Sequence, residues 1–483
     1  MGDSNTSNAD LVVPLWLDGK EIETGQTFDV VSPTTAETCH WAAAATEENA
    51  EAAIQSCRRA FSTWSQAKPT TRRDIFLRAA SHFERRKAEL WDILHLETGV
   101  DRRFFEATFA GAVDMCKDIA GRVSYMNGKA PIIDDAGSSA LVFRVPYGVV
   151  IGIAPWNAPL VLGLRACLQP LACGNTVVLK GSELSPRIFW AIASIFQESG
   201  LPPGCLNTIY HRPGADAIRI TNCLITSPHV RKINFTGSTA VGSAIASLAG
   251  KHLKPVVMEL GGKASAIICN DADVEQAAKQ CVLGAFLNSG QICMSTERIL
   301  VHKSVAAGFQ AEFSAVTGAI FPNHGQPLYL ATKAAVQRNY RLVDDALTKG
   351  AQSILASPNN ARGNNTSVRP VALASVSQEM EIYATESFGP SVSIIEYEED
   401  ADAISIANDT ECGLTAAVFT KNLQRGLRIA KLLETGAVHI NSMTPHDESA
   451  LPHGGVKKSG WGRFNTEEGL NEWFQTKSVT WKD

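Results

Sequence analysis

The chain has no long run of lysine or arginine, no C-x-x-C pair, no apolar stretch of membrane length, no fixed-period repeat and no low-complexity linker. Each absence narrows the class. With no basic stripe and a net charge of −5, the sequence argues against nucleic acid or any other phosphate-rich polymer as a partner. Apolar stretches such as 149–155 are far too short to span a bilayer. The cysteines number 11, an odd count without paired spacing. That suits reduced thiols in a cytoplasmic compartment better than a disulfide framework. Charged residues are scarce at 19%, beside 45% hydrophobic ones, which describes an ordinary soluble globular protein. The polar residues 1–10 lack the apolar core of a secretory signal and are expected to fray. They match a loose myristoylation pattern at Gly2, with no basic patch behind it to supply a second membrane signal. At 483 residues, about two to four domains are expected.

Helical spacing marks residues 46–62 and 70–97. From about 148 the pattern changes to short, fully apolar runs at 149–155, 175–180, 206–210, 232–235 and 256–259. Helix patterns at 160–172, 186–199, 214–222 and 239–250 alternate with them. This alternation predicts βαβ units around a buried parallel sheet, a doubly wound, Rossmann-like α/β fold. Ligands of such folds bind at the carboxyl ends of the strands, where Asn157, Lys180, Ser238 and Glu259 all fall. A second α/β stretch begins near 264, with helices at 273–288, 304–316 and 400–408 and strands at 297–302 and 391–396. It reads as a separate catalytic lobe. Residues 125–147 read as an extended hairpin. The tail 473–483 alternates apolar and polar residues, and an exposed strand of that kind is a liability for a monomer. Both are read as parts of a subunit interface.

One pair of residues proposes a reaction. Cys293 lies in Asn288-Ser289-Gly290-Gln291-Ile292-Cys293, and Glu259 stands upstream in Glu259-Leu260-Gly261-Gly262-Lys263. A buried cysteine is usually an inert small hydrophobe, but the flanks of Cys293 are small or polar and suit a turn. A thiol that attacks a carbonyl and a carboxylate that takes protons would together capture an aldehyde covalently. Other signals are weaker alone. Gly237 to Gly242 follows a strand and opens a helix, which fits either phosphate binding at a helix N-terminus or a plain tight turn. Lys180-Gly181-Ser182-Glu183 at a strand end would grip the two hydroxyls of a ribose, or form a solvated charge pair. There Glu183 would repel a 2′-phosphate, favouring NAD over NADP. Asn157 offers a side-chain N–H to a developing oxyanion, or simply a turn.

Taken together, Pro155-Trp156-Asn157, the 180–183 run, the 235–242 turn, 259–263, the Cys293 loop, Glu386-Ser387-Phe388-Gly389-Pro390 and Asn441 resemble the motif set of the aldehyde dehydrogenase superfamily. They occur in the family order, from about residue 14 to the C-terminus. The resemblance implies Cys293 as nucleophile, Glu259 as general base, and Asn157 with the Cys293 backbone N–H as oxyanion hole. It implies a cofactor-binding set of Trp156, Lys180, Ser182, Glu183, Gly237, Ser238, Gly242, Leu260, Glu386 and Phe388, with no residue assigned to a metal. Within the set, Lys180 and Glu183 would hold the adenosine ribose and Ser238 would meet the pyrophosphate. Glu386 would bind the nicotinamide ribose, and Phe388 would press on the ring. It also implies an NAD-binding domain (1–124 and 148–258), a catalytic domain (259–452), an oligomerisation element (125–147 and 453–483), and a homodimer or homotetramer. The familiar Glu-Glu-x-Phe-Gly-Pro here begins with Thr385.

The expected reaction converts an aldehyde into its acid through a Cys293 thiohemiacetal and thioester, with water activated by Glu259. The segments 441–448, 452–457, 144–150 and 154–159 and Arg165 are similar to those of salicylaldehyde and vanillin dehydrogenases. Arg165, His446 and His453, with Met294 shaping the pocket, would then form a polar rim for hydroxylated aromatic aldehydes, although each histidine reads equally well as a structural hydrogen-bonding group. Rival readings are an aliphatic or semialdehyde dehydrogenase, an acylating enzyme using coenzyme A, a thiol esterase and an inactive cofactor-binding scaffold.

Overall fold

The computed structural model describes residues 11–322, 327–355 and 366–482, so the pattern at Gly2 lies outside the described residues. Two large sheets dominate. The first has eight strands, and its five-stranded parallel centre runs Val256–Glu259, Val230–Thr236, Val149–Ile153, Thr176–Lys180, Leu206–Ile209 in spatial order. The three middle strands are almost wholly buried. Continuous Val and Ile are what such strands require when helices cover both faces. Helices Pro159–Ala172 and Pro186–Glu198 cross between them, each opening on a proline whose fixed φ suits the first turn. Ser185 does not cap the second of these helices. The buried Glu97 does so from a distance, accepting from the N–H groups of Arg187 at 2.8 Å and Ile188 at 3.3 Å.

The second sheet has seven strands. Val371–Ala374, Ser391–Tyr397, Thr296–His302, Ala264–Ile268, Thr415–Phe419 and Ala437–Ile440 lie parallel, and Gln352–Ser353 closes one edge antiparallel. The helical stretch expected over 70–97 is two helices, Pro69–Arg85 and Lys87–Thr98. Arg86 leaves helical geometry between them, and its guanidinium is shared between Glu89 and Glu198.

The hairpin reading of 125–147 needs correction. Only an isolated bridge, Lys129 to Val142, pairs that segment with itself. The strand Ser138–Pro146 instead forms a nine-pair antiparallel ladder with the tail strand Phe474–Lys482. Local sequence shows the turn but not a partner more than 300 residues away. The ladder is rooted in the first sheet by Lys232. Its ammonium meets Glu472 at 3.0 Å and lies over the rings of Tyr147 and Trp473. Past residue 453 the chain returns to the first sheet, where Gly460–Trp461 pairs antiparallel with Met258 and Glu259. All 11 cysteines are free thiols. Among the described residues no helix is long and apolar enough to cross a membrane.

Candidate active site

The strand ends of the first sheet and the Cys293 loop before Thr296–His302 meet in a cleft. Asn157, Lys180 and Ser238 stand at or just beyond the carboxyl ends of their strands, as the alternating pattern implied, and Glu259 is the last residue of its own.

The Cys293 loop is held against local preference. Asn288, Ser289 and Gly290 have φ of 50°, 58° and 72°, and non-glycine residues there carry strain of order 1–3 kcal/mol each. Surrounding bonds fix the conformation. Asn288 Nδ2 donates to the Asn157 carbonyl at 3.0 Å. The Gln291 amide donates to Tyr329 O at 3.1 Å and accepts from Ala331 N–H at 2.9 Å. Ser295 Oγ donates to Gly290 O at 3.1 Å. Two glycines are sterically required: a Cβ at Gly290 would lie 2.2 Å from Gly389 O, and one at Gly262 would lie 2.3 Å from Cys293 O. The base segment therefore packs backbone to backbone against the nucleophile.

Cys293 is partly exposed at the floor of a cavity, whereas Glu259 is wholly buried. Burial, and then the Glu259 anion, push the thiol well above its ordinary value, while the Arg165 charge acts the other way. Burial also raises the Glu259 carboxyl, again opposed by Arg165. The thiol faces the carboxylate, and no described group other than that thiol bonds either Glu259 oxygen. A carboxylate left unlocked in this way can exchange a proton with the thiol and later with water. Asn157 Nδ2 donates one hydrogen to Gln291 O at 3.0 Å, which orients the amide and leaves its second hydrogen available.

The other side of the cleft fits a dinucleotide. Lys180 is buried, its ammonium pushed down to about 8 by desolvation with Glu183 opposing. Ser182 Oγ accepts from Leu184 N–H at 3.2 Å, which shapes the turn between them. Helix Thr239–Lys251 starts behind Gly237, with Ser238 as its N-cap accepting from Val241 N–H. Its first N–H groups suit a pyrophosphate. Gly242 lets this helix settle on Leu260, where a Cβ would lie 2.5 Å from Cδ2. Glu386 accepts from Gly262 N–H at 3.1 Å, and burial pushes its carboxyl up to about 7. Phe388, itself at φ 47°, sets its ring edge-on to Trp156 with centroids 5.9 Å apart. The two rings and Glu386 make a wall suited to a nicotinamide riboside.

The substrate side is a cavity of about 640 Å³ running from Cys293 to the surface. Phe104, Leu162, Leu287, Met294, Met443 and Pro445 supply its apolar walls. Arg165 and His446 also line it. The Arg165 side chain is ion-paired with Asp447 and lies over the ring of Phe464. His453 does not line the cavity. Its backbone pairs with Phe464 in both directions, which places the ring behind Asp447, with Nδ1 3.8 Å from that carboxylate. Burial, followed by the Arg165 charge, pushes it down to about 4. His453 is thus a neutral support rather than part of the rim. Sequence reasoning missed Asp447 as the partner of Arg165, the helix Arg102–Arg122 as a pocket wall, and Glu297. Glu297 carried a signal, being one of two adjacent charges, with Arg298, in the buried strand Thr296–His302.

Comparison with known proteins agrees with this geometry. A family model described as the aldehyde dehydrogenase family matches residues 18–479. Vanillin dehydrogenase of Pseudomonas fluorescens is 40% identical over 479 residues, covering 97% of this chain and 98% of that protein. A mitochondrial succinate-semialdehyde dehydrogenase of Arabidopsis thaliana is 36% identical over 472 residues, covering 96% and 87%. The crystal structure of a salicylaldehyde dehydrogenase from Pseudomonas putida G7, complexed with salicylaldehyde, superposes with a TM-score of 0.94 at 34% identity, covering 98% of both chains. A nucleophile loop, a buried base and a dinucleotide-shaped cleft in one fold thus coincide with a match along nearly the whole sequence, and the chain belongs to the aldehyde dehydrogenase family.

Proposed function

We propose that this NAD-dependent aldehyde dehydrogenase acts on neutral aromatic aldehydes bearing polar ring substituents. The observation that carries this reading is the cavity above Cys293. Phe104, Leu162, Leu287, Met294 and Met443 give it apolar walls wide enough for a ring, and its polar groups include Arg165, Asn157, Asn465 and the loop that carries His446 to Glu448. The similarity to vanillin and salicylaldehyde dehydrogenases supports the same reading. Anionic semialdehydes fit less well. Asp114, Asp118, Asp447 and Glu448 line the cavity, and Arg165, the one permanent cation among the described residues that line it, is already paired with Asp447. A carboxylate substrate would approach like charges without a free partner.

In this reading Cys293 Sγ passes its proton to Glu259 and adds to the aldehyde carbon. The resulting oxyanion rests on Asn157 Nδ2 and the Cys293 N–H, donors already in place before charge develops. NAD, when bound, supplies the acceptor for the hydride that the carbon loses. Glu259, having released its proton, then takes one from water, whose oxygen attacks the thioester carbon. The carbon–sulfur bond breaks, the acid leaves, and Cys293 recovers its proton. Lys180 and Glu183 hold the adenosine ribose and Glu386 the nicotinamide ribose. Because Glu259 is raised by burial, it takes the thiol's proton more readily than an exposed carboxylate would.

Subunits associate through the ladder of Ser138–Pro146 and Phe474–Lys482 as a homodimer or homotetramer. Leu141, Phe143, Val479 and Trp481 leave an apolar stripe exposed on one face of it. Sedimentation of the wild type beside Val479→Asp checks this, since a monomeric wild type would end it. For the substrate, kcat/KM is to be measured with NAD for vanillin, salicylaldehyde, benzaldehyde, hexanal and succinic semialdehyde. The aromatic compounds should lead. If hexanal or succinic semialdehyde exceeds all three, the proposal fails.

A further inference from the structure

Two buried charges beside the site take no part in the chemistry proposed above. Lys263 and Glu297 are almost wholly excluded from solvent, and Nζ lies 2.7 Å from Oε2. A buried ion pair is weak evidence for stability, because desolvation offsets its attraction. Its other bonds indicate a second purpose. Glu297 accepts from the Ser387 N–H at 2.9 Å, the Ser387 hydroxyl at 2.8 Å and the Phe388 N–H at 3.2 Å. Lys263 also donates to the Thr385 carbonyl at 2.8 Å. Thr385, Ser387 and Phe388 are thereby held by one charge pair, while the Glu386 side chain between them reaches Gly262 N–H.

The clamped segment lies between helix Glu381–Ala384 and strand Ser391–Tyr397 and has no regular structure of its own. Its backbone N–H groups find in Glu297 the partner that a ladder would otherwise provide. Charge-assisted bonds of this kind are roughly twice as strong as neutral ones, and they hold Phe388 at its positive φ. The placement is also pointed. Glu297 lies four residues past Cys293, and Lys263 four past Glu259. The pair therefore sits where the nucleophile segment, the base segment and the 385–389 loop converge.

We propose that Glu297, balanced by Lys263, is a positioning residue that presets Glu386 and Phe388 for the nicotinamide end of the cofactor. The proposal rests on the assignment of those two residues to that end. The pair sets the face and angle of the ring relative to Cys293 without touching it.

The test uses the full-length enzyme and the variants Glu297→Gln, Glu297→Gln with Lys263→Met, and Glu386→Gln. Glu297→Gln alone leaves the Lys263 ammonium buried and unpaired, and it is expected to lower Tm. The double variant removes that charge and is expected to recover Tm. Its KM for NAD should nonetheless stay raised about tenfold, with the aldehyde KM unchanged. A deuterium isotope effect on kcat should appear or grow with aldehyde labelled at the carbonyl carbon, because hydride transfer from a misaligned pair becomes slower. A purely structural role would move both KM values together, or would return the NAD KM to wild type once Tm recovers, and either result overturns the proposal. Glu386→Gln separates the possible failures. If it raises the NAD KM while the double variant does not, the role of Glu297 alone is wrong. If it leaves the NAD KM untouched, the assignment of Glu386 has failed and the proposal falls with it.

Discussion

The two walls of the cleft are built by different means. The cofactor wall rests on backbone, with the side chains of Lys180, Trp156, Glu386 and Phe388 set on it: strand ends, the first turn of a helix, and glycines at which a Cβ would strike a carbonyl or carboxylate oxygen, as at Gly261 beside Glu386 and Gly262 beside Cys293. The substrate wall is made mainly of side chains from four separate segments, the helix Arg102–Arg122, the helix Pro159–Ala172, the stretch 287–294 and the loop 443–450. Backbone contacts leave no room for change without moving the chain, whereas side chains can be exchanged for others of like volume. One wall therefore suits what every catalytic cycle shares, and the other can be cut to a particular aldehyde.

Gly262→Ala should break the contrast most severely. Its methyl has nowhere to go but into the Cys293 carbonyl, and the displaced nucleophile should lower kcat/KM roughly 10²-fold or more for every aldehyde tested. A loss below about threefold would show that the loop absorbs the methyl, and the cofactor wall would not be rigid.

Glu259→Gln probes the join between the walls. The carboxylate works as a base only when deprotonated, so wild-type kcat should fall as pH drops through its raised pKa, and the variant should lose that limb along with roughly 10²–10⁴ in rate. The sign for the thiol is opposite. The Glu259 anion disfavours the thiolate, so its removal should shift the midpoint of Cys293 alkylation by iodoacetamide to lower pH. A midpoint that stays or rises would mean that the two groups do not sense each other.

Met294→Leu sharpens the contrast from the tolerant side. The volumes are similar and the expected stability cost is under about 1.5 kcal/mol. The ratio of kcat/KM for vanillin to that for benzaldehyde should change by less than roughly tenfold, with the NAD KM unaltered. A collapse of turnover would place Met294 among the rigid parts.

The same contrast explains what was legible in the sequence. Cys293, Glu259, Asn157, Lys180 and Ser238 could be placed because each sits in a short motif next to an apolar strand, and a strand end is a local event. The helix Asp400–Asn408 matched its pattern residue for residue. The substrate wall was only half visible. Arg165 and Asp447 are 282 positions apart, and no spacing rule joins them. His453 carries the chemistry of a rim residue, and only the pairing of its backbone with Phe464 turns its ring away. The ladder partner of 138–146 was hidden for the same reason. Glu297 is a different case, a buried acid in a strand whose use became visible only with the loop that it holds.

Lys232 occupies the strand that ends at Thr236, just before the Gly237 turn, and it fastens the roots of both arm strands at Tyr147 and at Glu472 and Trp473. The arm is thus a cantilever bolted to the same beam that carries the anion-binding corner. Force applied at the far end of the arm is transmitted to that beam rather than dissipated in a hinge. A fusion joined directly to the last strand would load it too, which makes the other terminus the better place for a handle.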